Sequence, residues 1–161
     1  MSVFRALRPP ALDELGLLAA LREQAARQGQ GELRVTVDAS GQLPPLPAAV
    51  EVAAYHIVRE ALTNVTRHAG ARHCAISLRL GDGLDIAVVD DGCGVAGARP
   101  GVGATSMRER AEEVGGACAI DTRPGGGTRV QARLPLDLSA LNERGAPRAS
   151  APNGSAGWAG R

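Results

Sequence analysis

The feature that most constrains the fold is the occurrence of two strand pairs, each joined by a short glycine-containing turn and each preceded by a segment with a helical pattern. Residues 74–80 and 84–90 flank Gly81-Asp82-Gly83, and residues 117–122 and 128–134 flank a Pro-Gly-Gly-Gly turn. Strands joined by short glycine turns form antiparallel hairpins. Two hairpins together with helices predict an α+β fold, a two-layer α/β sandwich with a mixed, mostly antiparallel sheet packed on helices.

The longest predicted helix covers residues 48–69, where apolar side chains recur at three- and four-residue steps. The apolar stripe consists of Val50, Ala54, Ile57, Val58, Ala61, Leu62 and Val65. Further helices are predicted at residues 12–28 and 105–114, and a strand at 32–38. Because aromatic residues make up only 2% of the chain, the core must consist of Val, Leu, Ile and Ala.

Composition excludes several classes of protein. The chain has 18 basic and 17 acidic residues among its 161, enough length for one domain. This near-neutral balance gives no broad positive surface that could attract the phosphate backbone of a nucleic acid, so we expect no direct contact with nucleic acid. No apolar run approaches the roughly 18 residues of a membrane span, so we expect no membrane contact by this chain, although a parent protein could be membrane-anchored. Three widely spaced cysteines, Cys74, Cys93 and Cys118, suit a reducing cytoplasm.

One polar face of the longest helix is a candidate ligand site. Glu60, Asn64 and His68 follow at four-residue steps, with Arg67 beside them. An Asn oxygen is a neutral hard ligand suited to Mg²⁺, which commonly takes only one or two protein ligands. Asn64 is the candidate ligand; the alternative is a solvated helix face with intrahelical pairs.

An acidic, glycine-rich segment ends the first hairpin. The Asp90 carboxylate can accept a hydrogen bond from an exocyclic amine, while Gly92 and Gly94 leave room for a flat ring. The alternative is an ordinary turn, in which Asp and Gly are favoured for their backbone geometry.

Two further glycine segments could complete such a site. Gly101-Val102-Gly103 enters the helix predicted to begin near Thr105, so its N–H groups would lie at a positive helix terminus suited to phosphates. Thr128 follows three glycines and could close the pocket with its hydroxyl, although a glycine run between strands also makes an ordinary hairpin turn. The common phosphate-loop and dinucleotide signatures are absent from the sequence.

Taken in order, these segments resemble the N, G1, G2 and last glycine-rich boxes of the GHKL ATPase superfamily, specifically the histidine kinase catalytic domain. The resemblance spans residues 7–136 and is closest to the subfamily related to nitrate and membrane-fluidity sensors. Four motifs carry it: IVREALTNVTRHAGA (57–71), VVDDGCGV (88–95), GVGATSMRERAEEVGG (101–116) and RPGGGTRVQARLPL (123–136). It implies the GHKL ATPase fold.

The resemblance implies a nucleotide site with ATP and Mg²⁺ as cofactors. In such a site Asn64 carries the Mg²⁺ ion and Asp90 binds the adenine amino group. Gly92 and Gly94 shape the pocket for the ring, and Thr128 completes the adenine end.

The remaining implied site residues surround the phosphates. Gly101, Val102 and Gly103 belong to a short lid, and Ala104 stands where the subfamily usually has Leu, which we expect to weaken nucleotide binding. A second group lies on the longest helix. It comprises the basic pair Arg67 and His68 and the candidate base Glu60, which joins Asn64 as a candidate catalytic residue.

The resemblance also implies partners and a domain plan. Residues 1–28 are expected to be the remnant of a linker from dimerisation helices, 29–136 the ATP-binding domain and 137–161 a disordered tail. The γ-phosphate would pass to a histidine on a separate dimerisation domain of a possibly homodimeric parent, and then to a response regulator. That histidine is expected before residue 7, so His56, His68 and His73 do not match it by position. An anti-sigma-factor-like serine kinase and an ATP-binding module without transfer activity are the alternatives.

Overall fold

The computed structural model describes residues 9–29, 31–40, 43–92 and 102–136. Four α-helices lie within these ranges: α1 (Pro10–Leu15), α2 (Leu17–Gln28), α3 (Ala48–Asn64) and α4 (Val102–Glu113). A π-helical turn, Val65–Ala69, continues α3. The strands are β1 (Arg34–Ala39), β2 (His73–Leu80), β3 (Gly83–Asp90), β4 (Ala117–Thr122) and β5 (Thr128–Pro135). Over the same ranges, none of the helices has the length and apolar character needed to cross a bilayer.

The five strands form one sheet in the order β1-β2-β3-β5-β4. β1 runs parallel to β2, whereas the three other neighbouring pairs are antiparallel. The helices form the second layer, with α2 against β1, α3 against β3 and β5, and α4 against β4 and β5. The predicted two-layer sandwich with a mixed, mostly antiparallel sheet is therefore confirmed.

The core between the layers is mostly aliphatic, as the composition predicts, with Tyr55, Cys74 and Met107 as the exceptions. The predicted stripe of α3 and the turn after it is buried along its whole length, with each member at most 4% exposed. Alternate residues of the strands complete the core from the sheet side, since every second side chain of a strand points to the same face of the sheet. They are Cys74, Ile76 and Leu78 in β2, Leu84, Ile86 and Val88 in β3, and Val130, Ala132 and Leu134 in β5.

The predicted single helix over residues 12–28 is wrong, because two helices meet at Gly16. The backbone φ of Gly16 is 83°, a conformation that glycine adopts without the steric cost a Cβ would bring. The chain turns there, so Leu12 of α1 and Leu17 and Leu21 of α2 all reach the core, while Leu15 is exposed.

Other element boundaries also differ from those predicted. β1 is shifted toward Ala39, and α4 begins at Val102 rather than near Thr105. The helix predicted over 48–69 has the expected extent, but its last five residues are π-helical. A π-helical turn widens the repeat beyond four residues; the side chain of His68 lies outside the described residues, so its alignment with Asn64 stays a prediction.

Candidate functional site

Asn64 and Asp90 lie on elements that end at the same edge of the sheet. The π-helical turn after Asn64 leads through Gly70 into the first residue of β2. The backbone N–H groups of Arg72 and His73 donate to Oδ1 of Asp91, at 2.8 and 3.0 Å. Because Asp91 directly follows β3, these bonds bring the end of the α3 segment next to the end of β3.

Asp90 is the last residue of β3 and is only 5% exposed. Its Oδ1 accepts a hydrogen bond of 2.7 Å from the N–H of Gly92. Among the described residues, none donates a hydrogen bond to Oδ2. A carboxylate oxygen can accept a hydrogen bond from a ligand or water, so Oδ2 can carry the predicted role of Asp90 as an acceptor.

Asp91, which we did not predict as a site residue, fixes this edge of the sheet. Besides the two backbone N–H groups, its carboxylate contacts the ring Nδ1 of His73, 3.0 Å from Oδ2. The N–H of His73, then its ring, then the N–H of Arg72 lower the pKa of Asp91 to about 2. The only sequence signal for the role of Asp91 was its position next to Asp90. Because neighbouring residues at a strand end point to opposite faces, one of the two aspartates is buried and the other is exposed.

The β4–β5 hairpin approaches Asp90 from the other side. Gly127 has φ of 97°, and a Cβ built on it would overlap the carbonyl oxygen of Asp90. The guanidinium of Arg123 donates from Nη1 to that same oxygen at 3.1 Å. Both residues lie in the last glycine-rich motif of the sequence, but of that motif only Thr128 was assigned a role in the site.

Thr128 starts β5 beside this contact. The last paired residues of β3 and β5 are Val89 and Arg129, so Asp90 and Thr128 each lie one step beyond that pair on neighbouring strands. The Thr128 side chain is half-buried. The structure therefore brings together Asp90 and Thr128, as the sequence predicted.

The predicted polar face of α3 lies at its C-terminal end. Glu60 and Asn64 are half-buried, and neither makes a side-chain hydrogen bond or ion pair within the described ranges. Arg67 is exposed in the π-helical turn, and the side chain of His68 lies outside the described residues. The half-buried Asn64 amide oxygen is thus free to act as a ligand.

The lid prediction falls partly outside the described residues, as Gly94 and Gly101 do. Val102 and Gly103 begin α4, and Ala104 is half-buried in its first turn. That turn contains no acidic residue, so the positive end of the helix dipole is not offset by a carboxylate there. Fully buried Met107 and Ala111 anchor α4 to the core.

Two other titratable groups near these elements are held neutral. Burial first, and then the charges of Asp90 and Asp91, raise the pKa of Cys74 to about 12, so its thiol is not a nucleophile. Burial first, and then the positive charges of Arg110 and Arg59, lower the pKa of His56 to about 4.

This arrangement fits a nucleotide with a bound cation. Asp90 supplies a fixed acceptor for an amine, and Gly127 lets the backbone of the β4–β5 hairpin lie close to Asp90. Asn64 supplies a neutral oxygen that can bind a cation. Within the described ranges no three His, Cys, Asp or Glu residues are grouped as a metal site. A cation held mainly by phosphate oxygens needs only one or two protein ligands.

Comparisons with known proteins agree with this chemistry. Residues 49–138 match the family of histidine kinase-, DNA gyrase B- and HSP90-like ATPases. The sensor histidine kinase MctS of Rhizobium johnstonii is 36% identical over 140 residues, covering 80% of this chain and 30% of the relative. The chain therefore spans less than a third of the length of that relative.

Two solved structures share the fold. The histidine kinase domain of the Erythrobacter litoralis EL346 blue-light activated histidine kinase aligns with a TM-score of 0.58 and 25% identity, over 72% of this chain and 57% of that one. The ATP-binding domain of PrrB from Mycobacterium tuberculosis aligns with a TM-score of 0.57 and 24% identity, over 74% of this chain and 93% of that one. The chain thus belongs to the histidine kinase-, DNA gyrase B- and HSP90-like ATPase family and contains an ATP-binding domain of the sensor histidine kinase type.

Proposed function

We propose that this chain is the catalytic domain of a two-component sensor histidine kinase and binds ATP with Mg²⁺ at the edge formed by α3, β3, β5 and α4. The observation that carries the proposal is the buried Asp90, whose Oδ1 is held by Gly92 while Oδ2 has no donor among the described residues. The exocyclic amine of adenine supplies the missing donor. An acceptor fixed in this way favours adenine over a base that presents an oxygen at the same position.

The phosphate end of the site is proposed to lie between α3 and the start of α4. Asn64 would hold Mg²⁺, which when bound neutralises charge on the phosphates. The N–H groups of Val102 and Gly103 lie in the first turn of α4, where they favour negative charge. Gly92, Gly94, Gly101 and Thr128 complete the nucleotide pocket in this proposal.

Three further residues of α3 and the turn after it are assigned roles on the same basis. Arg67 and His68 approach the phosphates as positive or donor groups. Glu60 is half-buried one turn before Asn64 and acts as the base. Ala104 leaves more space in the lid than a leucine would, and so lowers affinity for the nucleotide.

The γ-phosphoryl group is proposed to pass to a histidine on a separate dimerisation domain, with the bond to ADP broken and a P–N bond formed. Two histidines of this chain are poorly placed to accept it. The Nε2 of His56 is buried, and the ring of His73 contacts Asp91. From the acceptor histidine the phosphate would pass to an aspartate of a response regulator.

The proposal includes a domain plan. Residues 1–28 would connect the ATP-binding domain to dimerisation helices, and within that connection α2 packs against α3 and β1 with Leu17 and Leu21 buried. Residues 29–136 would form the ATP-binding domain and 137–161 a disordered tail. The need for ATP favours the cytoplasm, and so do Cys74 and Cys118, which are free cysteines. Dimerisation and any membrane anchor would belong to the parent protein.

Transfer of phosphate to histidine tests this function. The chain is mixed with a purified dimerisation domain of a related histidine kinase and ATP labelled at the γ-phosphate, and the acid stability of the label is measured. We expect acid-labile phosphate on the acceptor, its loss in Asn64→Ala, and its retention in Thr66→Ala, which changes an exposed residue of the adjacent turn. Acid-stable label on a partner would indicate a serine kinase, and nucleotide binding without label a passive module.

A further inference from the structure

Asp90 still pairs with Cys74 of β2, but it lies beyond the last residue pair that joins β3 to β5. The β3–β5 ladder ends at Val89 and Arg129, one step before Asp90. Its carbonyl oxygen instead accepts the Arg123 guanidinium, across 33 positions of sequence and in a partly buried setting. A charged donor makes a stronger bond than a neutral one, so Arg123 replaces the missing ladder bond.

The turn that carries Arg123 is itself fixed. The N–H of Arg123 donates to the carbonyl of Gly127 at 2.9 Å, and the N–H of Gly126 donates to the carbonyl of Arg123 at 3.0 Å. Gly127 then packs its backbone directly on the Asp90 carbonyl, where no Cβ fits. Two contacts from one hairpin, a hydrogen bond and a close backbone approach, thus hold the backbone of Asp90.

We propose that Arg123 is a positioning residue for nucleotide recognition, holding Asp90 through its backbone so that the carboxylate keeps its direction toward the base. This inference rests on the proposed function. Arg123 does not need to touch the nucleotide, because its effect passes through the Asp90 backbone to Oδ1 and the Gly92 N–H bond. A buried acceptor that shifts or tilts loses the donor it was aligned with, which lowers both affinity and discrimination.

Two measurements separate this role from ordinary stabilisation of the fold. The first is the ratio of dissociation constants for GTP and ATP, because an amine and a carbonyl differ at the position that Asp90 would recognise. The second is the hydrogen-exchange rate of the Gly92 amide in the nucleotide-free chain, because that amide donates to Asp90. The variants are Arg123→Ala, Arg123→Lys, which keeps a positive donor, and the control Arg129→Ala, an exposed residue of β5.

For Arg123→Ala we expect about tenfold weaker ATP binding, a similar fall in preference for ATP over GTP and about tenfold faster exchange of the Gly92 amide, the size set by one charge-assisted hydrogen bond. Arg123→Lys should recover part of each loss, and Arg129→Ala should match the wild type. Unchanged preference and unchanged Gly92 exchange in both Arg123 variants would overturn the proposal, even if their thermal stability fell. A wild-type chain that bound no nucleotide would refute the proposed function, while Gly92 exchange would still decide whether Arg123 holds Asp90.

Discussion

Replacement of Gly127 by alanine tests the contact that joins the β4–β5 hairpin to Asp90. Gly125 provides a matched control in the same turn, because it also has a positive φ, 85°, but a Cβ on it meets nothing within 4 Å. At Gly127, with φ of 97°, the Cβ would overlap the Asp90 carbonyl oxygen and also approach the Cα of Asp91. The two variants therefore share the conformational cost and differ in the steric one.

The expected magnitudes follow from that difference. A residue with a Cβ in the left-handed region costs about 1 kcal/mol, which is the whole effect expected for Gly125→Ala. Gly127→Ala adds the displacement of a backbone that Arg123 also holds, for a total of about 3 kcal/mol in the free energy of unfolding. For a domain of this size, these values correspond to falls in Tm of roughly 4 and 12 °C.

Urea and thermal unfolding followed by circular dichroism measure both variants, and calorimetry measures their affinity for an ATP analogue. We expect Gly127→Ala to be about 2 kcal/mol less stable than Gly125→Ala and to bind ATP more weakly at temperatures where both are folded. Equal stability of the two variants would refute the close packing of the hairpin on Asp90.

Three further results are expected. Met107→Ala should cost about 2–5 kcal/mol in urea unfolding, since this α4 side chain is fully buried; a loss below about 1 kcal/mol would contradict the packing of α4. Because the pKa of His56 is lowered to about 4, folding favours its neutral form, and the free energy of unfolding should fall as the pH drops from about 6.5 toward 4. The variant His56→Gln should lack this part of the pH dependence. Because the pKa of Asp91 is lowered to about 2, the stability it contributes should be complete above about pH 4 and be lost as the pH falls toward 2, and Asp91→Asn but not Asp82→Asn should flatten the profile in that window.

Much of the fold follows from local pattern. Both hairpins and the extent of the longest helix were predicted because period-two and helical repeats, together with glycine turns, act over neighbouring residues. The break at Gly16 was missed because glycine inside an apolar helical pattern is compatible with a continuous helix until its φ is known. The π-helical turn after Asn64 was missed because its widened repeat has no distinct residue signature.

The site divides in the same way. Asp90 was a candidate because it is an acidic residue followed by spaced glycines at the end of a strand, but that pattern alone also fits an ordinary turn, and its role came from the family resemblance. The bonds that hold it were not, since Arg123 lies 33 residues from Asp90 and His73 lies 18 from Asp91. Only the strand order, which places β3 between β2 and β5, brings those partners to the same edge.

The most direct test of the account is calorimetric binding of a non-hydrolysable ATP analogue with Mg²⁺ to the native chain, Asp90→Asn, Asn64→Ala and the control Asp82→Asn, an exposed turn residue. Asn at position 90 can still accept from Gly92, but it replaces a charged oxygen with an amide. We therefore expect binding at least about tenfold weaker in Asp90→Asn, loss of the Mg²⁺ dependence in Asn64→Ala and native affinity in Asp82→Asn. Native affinity in Asp90→Asn would contradict the assignment of this edge of the sheet as the ATP site.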